Sequence, residues 1–166
     1  MVSKKGLGIT IAILVGVVAA SFSVYLIPES VDTEMKFVVS DFEKYLDDVN
    51  EKTSMLSTGV EESFEDLMNH ELSPEEYFIT AGITQQQVNS LIIELTLSGE
   101  PQEWTASYKT YVGVLKKLNE QITETVVVAN LMKDDNLVPI DEMVSKIYEL
   151  RAESLDLIEK SNNFRP

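Results

Sequence analysis

Cysteine is absent from the 166 residues, which removes disulfide scaffolds, thiolate metal sites and cysteine nucleophiles together. Histidine occurs once, as His70, so a multi-histidine metal site has no ligands to draw on. Leu67, not Glu, stands three residues before it, so the Glu-x-x-His pattern of di-iron bundles is missing. No Gly-rich phosphate loop and no Gly-x-Ser-x-Gly elbow occurs. The six methionines are dispersed, without a Met-x-Met cluster. Positive charge is scarce: 13 lysines and arginines face 28 aspartates and glutamates. No internal repeat, low-complexity tract or Pro/Gly/Ser-rich linker interrupts the chain.

The acidity is unevenly placed. Glu29 is the first acidic residue, and residues 29–166 hold all 28 carboxylates against 11 lysines and arginines, a formal charge of −17. Such a surface repels nucleic acid and anionic lipid, so no nucleic-acid partner is expected. It favours basic partners or cations, although a solvated charged face explains it equally simply. Apolar residues persist throughout the acidic part, which distinguishes it from a disordered acidic tail.

Residues 7–27 form an uncharged, mostly apolar run. At 1.5 Å per residue it extends for roughly 31 Å, about the thickness of a bilayer core. Lys4 and Lys5 precede the run, and Glu29, Asp32 and Glu34 follow it. This asymmetry predicts one N-terminal transmembrane helix with its N-terminus in the cytoplasm and the rest of the chain outside. Tyr25 sits where an amphipathic ring suits the interface, and Pro28 closes the span. The competing reading is a cleaved signal peptide, with Val18-Ala19-Ala20 as its cleavage site. Against it, the apolar run continues to Ile27. The predicted division is therefore an anchor over residues 1–28 and an acidic extracytoplasmic helical bundle over 29–166. Within the anchor, Gly8, Ala12, Gly16 and Ala20 recur every fourth residue. They form a small-residue ridge of the kind that lets transmembrane backbones pack closely, which points to integral membrane protein subunits as partners.

Beyond the anchor the helical period dominates, so the fold class is all-α. Met35, Val38, Phe42, Tyr45 and Val49, then Leu56, Val60, Phe64 and Leu67, predict one long helix over about 31–71, with a bend near Gly59. Ser73-Pro74-Glu75-Glu76 reads as a complete helix start: Ser73 caps, Pro74 takes the first position, Glu76 completes the capping box and Leu72 staples to Tyr77. Thr84-Gln85-Gln86-Gln87, between Ile83 and Val88, repeats that grammar. It predicts a short helix over 74–81 ended by Gly82, followed by a separate one that stops at Ser98-Gly99. Pro101 opens a long helix to about residue 133, striped by Trp104, Tyr108, Tyr111, Leu115, Leu118, Ile122 and Ala129. Asp134-Asp135-Asn136 makes the turn, and Pro139 starts a last helix that buries Ile140, Met143, Ile147, Leu150 and Ile158. Short connections favour antiparallel neighbours, hence an up-down-like bundle. Val126-Val127-Val128 resembles a strand but has helical flanks.

Candidate sites are few. Trp104, Tyr108 and Tyr111 line one side of a helix and offer docking aromatics, although core spacing explains them as well. His70 suits a polar helix end. Adjacent carboxylates such as Asp47-Asp48 and Glu61-Glu62 arise readily by chance in so acidic a chain. Asp134-Asp135-Asn136 lacks the spaced ligands of a calcium loop. No catalytic, cofactor or metal residue is assigned, and no cofactor is expected.

The opening Lys4-Lys5-Gly6-Leu7-Gly8-Ile9, with Ala19-Ala20-Ser21-Phe22 and Leu26-Ile27-Pro28, resembles the anchors of small single-span extracytoplasmic helical proteins of ammonia-oxidising archaea. The likeness covers about 28 residues, and its plan is similar to that of accessory subunits of archaeal ammonia monooxygenase. It implies a setting outside the cell membrane and a copper-dependent membrane oxidase as partner, and it carries over no catalytic residue. The expected function is a non-catalytic accessory or assembly subunit of a membrane complex. The alternative is a membrane-tethered ligand-binding or sensory bundle, against which stands the shortness of the segment before the span.

Overall fold

The computed structural model describes residues 39–134 and 140–166, and they form four α-helices with no strand among them. Helix α1 spans Phe42–Met68, α2 Pro74–Thr96, α3 Thr105–Lys133 and α4 Ile140–Asn163. None of the four is long and apolar enough to cross a membrane. The predicted span and its Gly8, Ala12, Gly16 and Ala20 ridge lie outside the described residues, as do Met35, Val38 and the start at Pro139.

Helix α1 starts later than the sequence pattern suggests. Residues 39–41 are non-helical, and Asp41 caps the helix by accepting from the Lys44 N–H at 3.0 Å. Its other end closes in a Schellman turn, where the His70 N–H donates to the Leu67 carbonyl at 3.0 Å and the Glu71 N–H to the Asp66 carbonyl at 2.7 Å. His70 occupies the left-handed position of that turn, with φ of 56°, a place more often held by glycine. The polar helix-end role expected of His70 therefore has a specific backbone form.

The capping box at Ser73 is formed as predicted. The Ser73 side chain accepts from the Glu76 N–H at 3.3 Å, and Glu76 accepts from the Ser73 N–H at 3.1 Å. The second start, at Thr84, is not used: α2 runs unbroken through Gly82 and Ile83. Thr84 is buried, and its hydroxyl donates to the Thr80 carbonyl four residues back at 2.9 Å. The Gln87 amide, expected to reach back to a cap, is enclosed without a hydrogen-bond partner among the described residues. The reason lies in the buried stripe Tyr77, Ala81, Thr84, Val88, Leu91 and Leu95, whose steps of four and three never break. Burying it whole outweighs the roughly 1 kcal/mol that a helical glycine costs. The stop itself is as predicted, with Gly99 at φ of 65° just beyond the helix.

Helix α3 also begins late. Pro101 and Gln102 lie in a tight turn, in which the Trp104 N–H donates to the Pro101 carbonyl at 2.9 Å, and regular helix starts at Thr105. Val126, Val127 and Val128 are helical. Contacts between side chains give the topology. Phe64 meets Tyr77, Asn119 donates to Asn89, and Lys117 pairs with Glu153, so consecutive helices run antiparallel. Helix α3 is the spine. Its buried residues occupy two faces, Tyr108, Tyr111, Leu115, Leu118, Ile122 and Ala129 on one and Ser107, Val114, Gln121, Thr125 and Val128 on the other.

Helix α4 packs on the second face. Ser107 and Ser161 are both fully buried and exchange hydrogen bonds, each hydroxyl donating to the other's carbonyl, at 2.8 and 2.9 Å. Two helix backbones approach this closely only where the facing side chains are small. Gly113 contributes to the same seam, because a Cβ there would lie 3.5 Å from Leu157 Cδ1. Between α1 and α4 no comparable closure occurs. Arg151 Nη2 reaches Glu61 at 2.9 Å and Arg165 Nη1 reaches Asp47 at 2.7 Å.

Candidate functional site

The aromatic residues singled out on α3 belong to the core. Tyr108 and Tyr111 are each 1% exposed, so neither presents a docking face, and half-buried Trp104 packs edge-on against Tyr108 at 6.2 Å. Their spacing reflects burial against α1, not recruitment of a partner. The hydroxyls are committed inside the bundle. Tyr108 donates to the Phe42 carbonyl at 2.8 Å and Tyr111 to Asn50 Oδ1 at 2.9 Å. Tyr77 donates to Thr125 Oγ1 at 2.5 Å, and Thr125 in turn donates to the Ile122 carbonyl at 2.7 Å. Buried phenols gain more from such partners than their rings would from a dry contact alone.

Burial pushes the Tyr77, Tyr108 and Tyr111 phenols up to about 12. The Tyr45 phenol is raised as well, by burial and then by the Glu94 carboxylate it donates to at 3.3 Å. The Glu76 carboxyl is lowered by the Ser73 hydroxyl and N–H, and the Glu153 carboxyl by Lys117. Glu75 is lowered by its own backbone N–H and by Lys133. Each of these displacements moves its group further from neutral pH. Proton-transfer sites need the opposite, a pKa drawn toward the working pH. Among the described residues, no group of three or more histidines, aspartates or glutamates is arranged to hold a metal ion.

What the fold does provide is a crevice where α1 and α4 part over α3. It is bordered by Phe64, Glu61 and Glu65 on α1 and by Ile147, Tyr148 and Arg151 on α4, and holds about 40 Å³. Gln121 and Thr125 of α3 form its floor. Gln121 is 2% exposed, and its amide makes no hydrogen bond among the described residues. A pocket for a metabolite is typically about 300–1,000 Å³, so this one suits a single small group. Beside the charged border of Glu61, Glu65 and Arg151, Tyr148 is 60% exposed, and Leu155, outside the crevice two turns on along the same face of α4, 59%. Comparison with family models, curated proteins and solved structures gives no match. The chemistry of the chain must therefore be read from its own residues.

Sequence reasoning missed the crevice. Gln121 and Thr125 lie off the apolar stripe of α3, and only the placement of α4 over that second face makes them interior. The one sequence sign is that Gln121 falls three residues after Leu118 and one before Ile122, within reach of the core-facing side.

Proposed function

We propose that the protein is a non-catalytic accessory subunit of a membrane protein complex. One N-terminal span, packed on partner helices through Gly8, Ala12, Gly16 and Ala20, would hold the acidic bundle on the outer face of the membrane. The observation that carries this reading is the uncharged run of residues 7–27, set between Lys4-Lys5 and a segment with 28 carboxylates. Further support comes from the bundle itself, whose Tyr77, Tyr108 and Tyr111 hydroxyls and Ser107–Ser161 pair are spent on holding helices together. The resemblance of the anchor to small proteins of ammonia-oxidising archaea makes an archaeal ammonia monooxygenase the first complex to test as partner.

The test is extraction of native membranes in mild detergent, native electrophoresis and mass spectrometry of the comigrating chains. The reading expects the protein in a band much heavier than 18.6 kDa, together with integral membrane subunits. Migration alone, at monomer mass, would dispose of it. Leucine at both Gly8 and Gly16 should release the protein from that band, since two bulky side chains on a small-residue ridge force the helices apart.

A further inference from the structure

We propose that the crevice between α1 and α4 receives a lysine or arginine side chain of a partner protein, carried on an amphipathic segment whose apolar side lies on Tyr148 and Leu155. This deepens the accessory-subunit reading and rests on it for the existence of the partner. The floor supplies the first argument. The Gln121 side chain is 2% exposed, lines the crevice and has no hydrogen-bond partner among the described residues. Its amide atoms are not fully enclosed, and a donor entering the crevice would bond the carbonyl oxygen.

The walls select the sign of that group. Glu61 is already answered by Arg151 at 2.9 Å, whereas Glu65 makes no ion pair among the described residues. A cation therefore meets an uncompensated carboxylate beside the ring of Phe64 and the exposed ring of Tyr148. A carboxylate would meet repulsion. The described residues carry 24 aspartates and glutamates against 10 lysines and arginines, so the long-range field also draws in basic surfaces.

Size and rim decide between a free cation and a side chain. About 40 Å³ accommodates an ammonium or guanidinium tip, and the apolar stem of Lys or Arg matches the buried lining residues Ile147 and Val60. A free inorganic cation would leave Tyr148 and Leu155 uncovered, while a segment bearing the basic residue would bury both. A second copy of this chain is disfavoured, because it would press one strongly acidic surface against another.

The experiment uses the full chain in nanodiscs of zwitterionic lipid, with empty discs as the blank. Two labelled helical peptides with the same leucine pattern are titrated, one with lysine and one with glutamate at the polar positions. The proposal expects the lysine peptide alone to bind. It expects Gln121→Leu and Tyr148→Ala each to weaken binding about tenfold, with Ile93→Ala on α2 changing nothing. Tyr148 is a surface residue, so its variant decides the matter even where Gln121→Leu disturbs folding. Absence of binding, equal binding of both peptides, or unchanged binding by Tyr148→Ala overturns the proposal. Peptide binding as expected, in a protein that migrates alone from native membranes, would sink the accessory-subunit reading and leave the crevice chemistry standing. Co-migration with a partner but no effect of either variant would sink the crevice alone.

Discussion

Against α3, helix α4 is drawn in until the Ser107 and Ser161 hydroxyls reach each other's carbonyls at 2.8 and 2.9 Å, whereas toward α1 it is tied by Arg151 to Glu61 and, just beyond its end, by Arg165 to Asp47. The first seam has an interior of small and apolar side chains, with the Lys117–Glu153 pair at its exposed edge. The second is made of long charged ones that keep the helices apart. Close packing is specific and hard to reopen, while exposed ion pairs contribute little and yield readily to a competing partner. One helix thus carries both the closure of the bundle and its least finished side.

Alkaline titration should have the largest effect, and it acts on the core that α1 and α2 form with α3, away from both sides of α4. The phenols of Tyr77, Tyr108 and Tyr111 stand at about 12 in the fold against 10.0 when free. A raised folded-state pKa means that the stabilisation is complete below about pH 10 and is lost as pH climbs toward 12. Urea midpoints should fall progressively across that window, with the absorbance of three of the six tyrosinates appearing only as the helices melt. Ionisation of all six at full helicity would show that the Tyr77, Tyr108 and Tyr111 hydroxyls are not enclosed. Next in size, Leu150→Ala should cost about 3 kcal/mol in urea unfolding, because it empties a site that is 2% exposed. Tyr148→Ala, two residues away but 60% exposed, should cost less than about 0.5 kcal/mol. Equal losses would erase the distinction between the two sides of α4.

Ser161→Ala should cost about 1 kcal/mol, and a double-mutant cycle with Ser107→Ala should be clearly non-additive, since the two residues share one hydrogen-bonded clasp. The smallest effect belongs to the open seam. Arg151→Ala should cost well under about 1 kcal/mol, and the difference from wild type should shrink in high salt. A loss as large as that of Leu150→Ala would mean that the α1–α4 side is as closed as the other.

Much of this fold was legible in the sequence. The stripe Val49, Val60, Leu67 on α1 and Tyr108 to Ala129 on α3 appears at helical period, and Ser73 with Glu76 reads correctly as a cap because a capping box is a local object. The Thr84 motif reads just as well, yet it is unused. A cap competes with continuation of the helix, and here the unbroken stripe from Tyr77 to Leu95 wins. The starts at Asp41 and Thr105 were missed for a related reason. Asp41 opens onto Phe42 without a glutamate three residues on, and Pro101 initiates a turn in place of the first helical position. The site was least legible. Trp104, Tyr108 and Tyr111 read as either core or docking aromatics until the face of α1 that covers them is placed, and Gln121 looks like a solvated residue until α4 is set over it.

The decisive measurement is photo-cross-linking in native membranes, with a benzophenone side chain introduced at position 148 in one sample and at position 93 in another. Tyr148 and Ile93 are almost equally exposed, at 60% and 58%, on helices that make no extensive contact with each other. A docking side between α1 and α4 requires a strong adduct with an integral membrane subunit from position 148 and little from 93, the cross-linked partner peptide containing lysine or arginine among apolar residues. Adducts from position 93 with none from 148 would place the partner on the other side of the bundle and refute the assignment.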